Sequence, residues 1–177
     1  LYGVIPDDFT LLQKSIATAL KENDFVIISG GSSVGNRDLS LKVLLSFSDS
    51  EMLFHGLSIK PGKPTLAVKI GTQLVIGLPG HPVSALMVLG VLLDRVMLDR
   101  ALTNLVKAVL SDNVASQAGR DDFVRVRLDN NSKGLYAIPV HGKAGLIRVM
   151  SEAHGFIHIP HHEQGFNKGE LVTVHLF

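Results

Sequence analysis

Two hydrophobic periods run along the chain, and the change between them falls past its middle. In the opening stretch IPDDFTLLQKSIATALKEND, Leu12, Ile16, Ala19 and Leu20 recur at i, i+4, i+7 and i+8, one apolar stripe along a helix. Pro6, Asp7 and Asp8 stand just ahead of it, where carboxylates meet the positive end of the helix dipole. Phe25 to Ile28 is a short unbroken apolar run, as expected of a strand buried on both faces. It ends at Gly30-Gly31, and a second helix is predicted from about Asp38, carrying Leu41, Leu44 and Leu45. Helix, buried strand, glycine loop and helix form the rhythm of a parallel α/β sheet. MLFHGLSI and TLAVKI read as strands around the turn KPGKP, Gly71-Thr72 as a hairpin turn, and Leu74 to Ile76 as another buried strand. A long helix is predicted from about Pro82 to Arg100.

Past Arg100 the period drops to two. In FVRVRLDNNSKGLYAIPV, Val124, Val126 and Leu128 face one way and Phe123, Arg125 and Arg127 the other, with a turn over Asn130 to Gly134. GFIHIP and ELVTVHLF read as two more short strands, with GLIRVMSEAH as a short helix between them and the preceding strand pair. Short strands with turn signals suggest a small β-barrel or sandwich. The expected fold is therefore an α/β domain over residues 1–104 followed by a β-rich domain over residues 105–177, with the boundary near Asn104.

Composition narrows the chemistry. The 177 residues are 46% hydrophobic and 19% charged, with a formal net charge of +1, which is ordinary for a globular protein. Nothing global attracts nucleic acid or a membrane, so any positive site is local. The absence of cysteine removes disulfides, thiolate metal sites and a cysteine nucleophile, and favours a cytoplasmic protein. The longest apolar run, HPVSALMVLGVLLDRVML, is broken by Asp94 and Arg95 before it reaches a comfortable membrane span. The start, LYGVIPDDFT, has no basic region ahead of an apolar one and so does not read as a signal peptide.

Three stretches carry candidate chemistry. In SGGSSVGNRD, glycines after a strand let ligand oxygens approach backbone N–H groups, and Ser32, Ser33 and Gly35 extend that donor surface. The alternative is a Gly/Ser loop that holds nothing. Asp38 either caps the following helix or holds a divalent cation against phosphate oxygens. In KPGKP, Lys60 and Lys63 flank Pro61-Gly62, so a tight turn brings two ammonium groups toward one point, suited to a small polyanion; the alternative is two solvated lysines. In GLPGHPVSA, prolines and glycines stiffen a strand-to-helix corner, and Ser84 lies in the first turn of the next helix. There it either meets an oxyanion or only solvates the helix start; His81 reads as a polar loop residue. The cluster His154, His158, His161, His162 and Glu163 fits no zinc spacing.

Taken together and in this order, SGGSSVGNRD, KPGKP and GLPGHPVSA resemble the molybdopterin molybdenumtransferase family, the molybdenum insertases to which the C-terminal region of gephyrin is related. GRDDFVRVRL, GLIRVMSEAHGFIHIP and FNKGELVTVHLF resemble that family's C-terminal barrel. The resemblance implies a three-layer α/β domain that holds molybdopterin, incomplete at its N-terminus, followed by a small β-barrel. It implies insertion of molybdate into adenylylated molybdopterin with release of AMP, in a step that needs Mg2+ or another divalent cation. On this basis Gly30, Gly31, Ser33 and Gly35 approach the phosphates, and Asp38 positions the cation as the catalytic and metal-binding residue. Lys60, Lys63, backbone at Pro64 and Ser84 hold the molybdate, joined by Arg120 or Arg125. A homodimer and contact with the molybdopterin adenylyltransferase are implied as well. The resemblance further implies that the chain, which begins at Leu1, is a C-terminal piece of a longer protein. Two alternatives remain open: a molybdopterin adenylyltransferase-type enzyme, against which residues 105–177 argue, and a non-catalytic scaffold of the same fold.

Overall fold

In the computed structural model of the chain, which describes residues 1–30, 39–93, 104–140, 142 and 151–177, the first helix begins where the aspartates predict it. Asp8 is the N-cap of α1 (Phe9–Glu22), its side chain accepting a hydrogen bond from the Leu11 N–H at 2.8 Å, which satisfies one of the free donors of the first turn. The predicted stripe turns inward: Ile16, Ala19 and Leu20 are buried and Leu12 packs beside them. β1 (Phe25–Ser29) follows, then α2 (Leu39–Leu44), β2 (Ser50–His55), β3 (Ile59–Lys60), β4 (Leu66–Ile70) and β5 (Gln73–Leu78).

The described residues divide into two compact units, Leu1–Leu57 with Gly62–His81, and Ser58–Pro61 with Pro82–Phe177. The first is built on a four-stranded sheet in the order β1-β5-β4-β2. Val26, Val75, Val68 and Ile70 line one face and meet Ile16, Ala19 and Leu20 of α1 and Val43 and Leu44 of α2. Of the three expected layers, the described residues of this unit supply the sheet and the helical layer on that face.

Two expectations need correction. Only β1 and β5 run parallel; β5–β4 and β4–β2 are antiparallel, because the Gly71-Thr72 hairpin turns the chain straight back, pairing Ile70 with Gln73. β1 is not buried on both faces either. It is the edge strand of the described sheet, and Ile27 is 44% exposed. An apolar run looks the same at an edge and in a centre; the number of neighbours decides its burial. MLFHGLSI also divides into β2 and β3 around Gly56, whose φ is +95°, a left-handed conformation that glycine adopts without cost.

The second unit contains α3 (Pro82–Val88), which continues as a π-helical turn over Leu89–Leu93; the rest of the predicted long helix lies outside the described residues, as does most of the helix predicted in GLIRVMSEAH. The strands are β6 (Leu105–Leu110), β7 (Val114–Ala115), β8 (Asp121–Asn131), β9 (Gly134–Pro139), β10 (Gly155–Ile159), β11 (Gly165–Phe166) and β12 (Leu171–Leu176). Pairings β8–β9, β9–β6, β6–β12, β12–β10 and β10–β8 close a five-stranded barrel. The long β8 makes closure possible, because its first half pairs with β10 and its second half with β9. β3 adds to β8 in parallel, with Lys60 opposite Asp122.

The predicted alternation holds. Val124, Val126 and Leu128 pack into the barrel interior with Leu110, Ala137, Ile157, Ile159, Val172 and Val174. Phe123 faces outward, where it and Phe156 are buried against Val83 and Met87 of α3. The turn after β8 is tighter than expected, with Asn131 opposite Gly134. Strands β6, β7 and β11 were not predicted.

Candidate functional site

The glycine loops meet at the carboxyl ends of the parallel strand pair β1–β5. The Gly30 N–H, just past β1, donates to the Leu78 carbonyl at the end of β5 at 3.3 Å. A Cβ on Gly80 would lie 3.6 Å from the Gly30 Cα. Ser29-Gly30 and the GLPG loop are thus neighbours at the place where open α/β sheets bind ligands. Gly30 has φ +94°, and its bare Cα leaves the backbone open to a ligand. A cavity of about 520 Å³ starts beside it and runs along β1 and α1 past Ser29, Ser40 and Asn23. Gly31, Ser33, Gly35 and Asp38 lie outside the described residues.

The KPGKP turn carries the chain from one unit to the other. Lys60 and Pro61 belong to the barrel unit, and Gly62, Lys63 and Pro64 to the sheet unit. Local bonds fix its second half. The buried Thr65 hydroxyl donates to the Gly62 carbonyl at 2.6 Å, and the Leu57 N–H donates to the Lys63 carbonyl at 2.9 Å. Gly62 has φ +123°. Lys63 is exposed.

Within the barrel unit, a cavity of about 350 Å³ is lined by Lys60, Pro61, Asp122, Phe123, Val124 and Arg125, with Asn113, Val114, Ala115, Val140 and Gly142 completing the wall. Its polar groups are unevenly paired. The Asp122 carboxylate is 3% exposed and takes the Arg120 Nε–H at 2.7 Å, with Arg120 Nη2 at 3.4 Å from its second oxygen. Lys60 Nζ stands 3.9 Å from that second oxygen, on a side chain that is 62% exposed. Arg125 Nη2 donates to the Gly142 carbonyl at 3.4 Å. Its Nε and Nη1 are buried and have no hydrogen-bond partner among the described residues. Burial also pulls the Arg125 guanidinium below its ordinary pKa, since desolvation disfavours the charged form. Buried donors without acceptors are costly, and an anion in this cavity would supply the acceptors.

The structure therefore separates the two arginines that the sequence leaves as alternatives. Arg120 is engaged by Asp122; Arg125 has two donors without a partner among the described residues. Ser84 is buried in the first turn of α3, in the same unit, and is not part of the cavity's described lining. Lys63 and Pro64 belong to the other unit. Asp122 is the residue that sequence reasoning missed. The signal was present: Asp122, Val124, Val126 and Leu128 share one register, so a carboxylate at the head of an inward-facing row needs a partner. Among the described residues no group of three His, Asp or Glu is placed to hold a metal ion. His158 pairs with Asp121 at 2.7 Å, and His154 Nδ1 accepts the Leu128 N–H. No described helix is long and apolar enough to cross a membrane.

These elements define a class: an α/β domain with glycine loops gathered at the ends of parallel strands, followed along the chain by a closed five-stranded barrel. The chain belongs to the molybdopterin-binding domain family, whose model, described as "Probable molybdopterin binding domain", matches residues 1–98; a second model, "MoeA C-terminal region (domain IV)", matches residues 107–177. A Methanocaldococcus jannaschii protein named for molybdopterin biosynthesis is 36% identical over 176 residues, covering 99% of this chain and 42% of the relative. The molybdopterin molybdenumtransferase of Haemophilus influenzae is 30% identical over 183 residues, covering 99% of this chain and 45% of the enzyme. The crystal structure of a molybdopterin biosynthesis MoeA protein from Pyrococcus horikoshii superposes with a TM-score of 0.77 at 33% identity, covering 96% of this chain and 41% of that one. The chain thus spans less than half the length of these relatives.

Proposed function

We propose that this chain is the part of a molybdopterin molybdenumtransferase that receives the metal oxyanion, and that molybdate is inserted into adenylylated molybdopterin with release of AMP. The observation that carries the reading is the half-buried Arg125, whose Nε and Nη1 are buried and unpartnered among the described residues, in the cavity that Lys60 also lines. With Asp122 neutralised by Arg120, the cations of the described lining, Lys60 and Arg125, match the charge of a dianion. A guanidinium fork and an ammonium bind tetrahedral oxyanions through charge-assisted hydrogen bonds, strongest where water is excluded. Arg125 orients the oxyanion through fixed donors, and Lys60 adds the second positive charge. The family resemblance also assigns Lys63, Pro64 and Ser84 to oxyanion binding, and Gly30, with Gly31, Ser33 and Gly35, to letting phosphate oxygens reach backbone N–H groups.

A divalent cation, Mg2+ in the first instance, belongs to the reading at Asp38, where it would neutralise phosphate charge; it rests on the resemblance, since Asp38 lies outside the described residues. A cytoplasmic homodimer that takes its substrate from the molybdopterin adenylyltransferase completes it. The adenylyltransferase-type alternative is less well supported, because Arg125 and most of the cavity come from the barrel. Calorimetric titration of sodium molybdate and sodium tungstate into the chain tests the reading. Binding is expected, and Arg125→Ala or Lys60→Ala should weaken it about tenfold or more. Equal binding by the native chain and both variants would refute the oxyanion role of this cavity.

A further inference from the structure

The strand pairing that joins Lys60 to the barrel points to a residue whose task is to place that lysine. We propose that Asp122 is a positioning residue: its buried carboxylate, held by Arg120, keeps the Lys60 ammonium at the mouth of the cavity in reach of an oxyanion bound to Arg125. The proposal rests on the reading of the cavity as an oxyanion site.

Three observations support it. Lys60 and Asp122 are register partners across β3 and β8, so the strand ladder fixes their Cα atoms relative to each other. Arg120 donates to Asp122 at 2.7 Å, whereas Lys60 stands at 3.9 Å. Arg120 is thus the partner that keeps the buried carboxylate compensated, and Lys60 is only attracted to it. An ammonium at that distance retains its donors for a second anion. Finally, Lys60 is 62% exposed, and a long exposed side chain samples many rotamers unless something biases it. A buried carboxylate behind the cavity mouth supplies that bias. Without Arg120, Asp122 would bind Lys60 outright and compete with the incoming anion.

The test is a double-mutant cycle on the 177-residue chain, with sodium tungstate as probe and binding read by calorimetry. Asp122→Asn should weaken tungstate binding about tenfold in the native background and less than about twofold in a Lys60→Met background. A structural role alone would lower affinity by the same factor in both backgrounds, and that result overturns the proposal, as does unchanged or tighter binding by Asp122→Asn. If Asp122→Asn fails to fold, as judged by circular dichroism, Asp122→Glu replaces it. That variant keeps a carboxylate for Arg120 but moves it by one methylene, and its loss of affinity should likewise vanish with Lys60→Met; a loss that persists there overturns the proposal. Arg125→Ala separates the two levels of inference. If it weakens binding while Asp122→Asn does not, the cavity reading stands and the positioning role falls. If it leaves binding intact, both fall.

Discussion

Arg120 and Arg125 stand five positions apart in one basic segment, and their surroundings give them different work. Arg120 compensates a carboxylate that is 3% exposed, so its removal leaves that charge with only the exposed Lys60 beside it. Arg120→Ala is expected to destabilise the chain by about 2 kcal/mol, below the usual cost for a fully buried pair because Arg120 itself is partly open to solvent. Urea denaturation followed by circular dichroism measures this. Arg125→Ala removes two buried donors that have no described acceptor and one long hydrogen bond to Gly142, so it should cost little stability while reducing anion binding. Tyr2 offers a separate test at this scale. Its hydroxyl donates to Glu22 at 2.6 Å and accepts from Asn23 at 2.9 Å, and the Glu22 hydrogen bond is the largest cause raising its pKa above 10.0. A raised acid favours the neutral phenol in the folded chain. Its contribution to stability is therefore present below pH 10 and lost as pH rises through the raised folded value. Ultraviolet titration of the phenol should show a midpoint above that of a free tyrosine, and Glu22→Gln should bring it down.

Elements depend on close approaches that the chain pattern only partly discloses. At Gly155 in β10, an added Cβ would lie 2.2 Å from the backbone carbonyl oxygen of His175 in β12. Backbone cannot swing aside as a side chain can, so Gly155→Ala should destabilise the barrel by about 3 kcal/mol or prevent its closure. An added Cβ at Gly90, in the π-helical turn, would meet nothing within 4 Å among the described residues, and its φ is not positive; Gly90→Ala should be neutral or stabilising by up to about 1 kcal/mol. Thermal unfolding of the two variants side by side checks the contrast. The helix start at Asp8, the Gly71-Thr72 hairpin and the inward row Val124, Val126 and Leu128 were legible because they depend on neighbours in sequence. The edge position of β1, the division of KPGKP between two units and the closing of the barrel through both halves of β8 were not, because each depends on residues far along the chain. The site shows the same split. Lys60 announced itself through turn chemistry and Arg125 through the resemblance; the Arg120–Asp122 pair spans only two positions, but the placing of Lys60 beside Asp122 is a matter of three-dimensional register.

At the scale of the whole molecule, charge and stability join. The chain carries a net charge of +1, so no broad field gathers anions, and the proposed anion binding would depend on the local arrangement of Lys60 and Arg125. Arg125 is lowered in pKa by burial, which means its charged form is disfavoured in the folded state at neutral pH. That unfavourable contribution shrinks as pH rises through the lowered folded value. A bound dianion removes the same penalty at neutral pH, by giving the charged form its acceptors. Anion binding and folding are then linked: a ligand that binds only the folded chain stabilises it by about 2.7 kcal/mol at one hundred times its dissociation constant. For a protein of this size that amounts to a rise of roughly 5–10 °C in melting temperature. Differential scanning calorimetry with increasing tungstate should show the rise, with chloride at matched ionic strength producing none. In Arg125→Ala the rise should disappear. A rise of equal size in that variant would mean that the stabilising anion binds somewhere other than the cavity of Lys60 and Arg125.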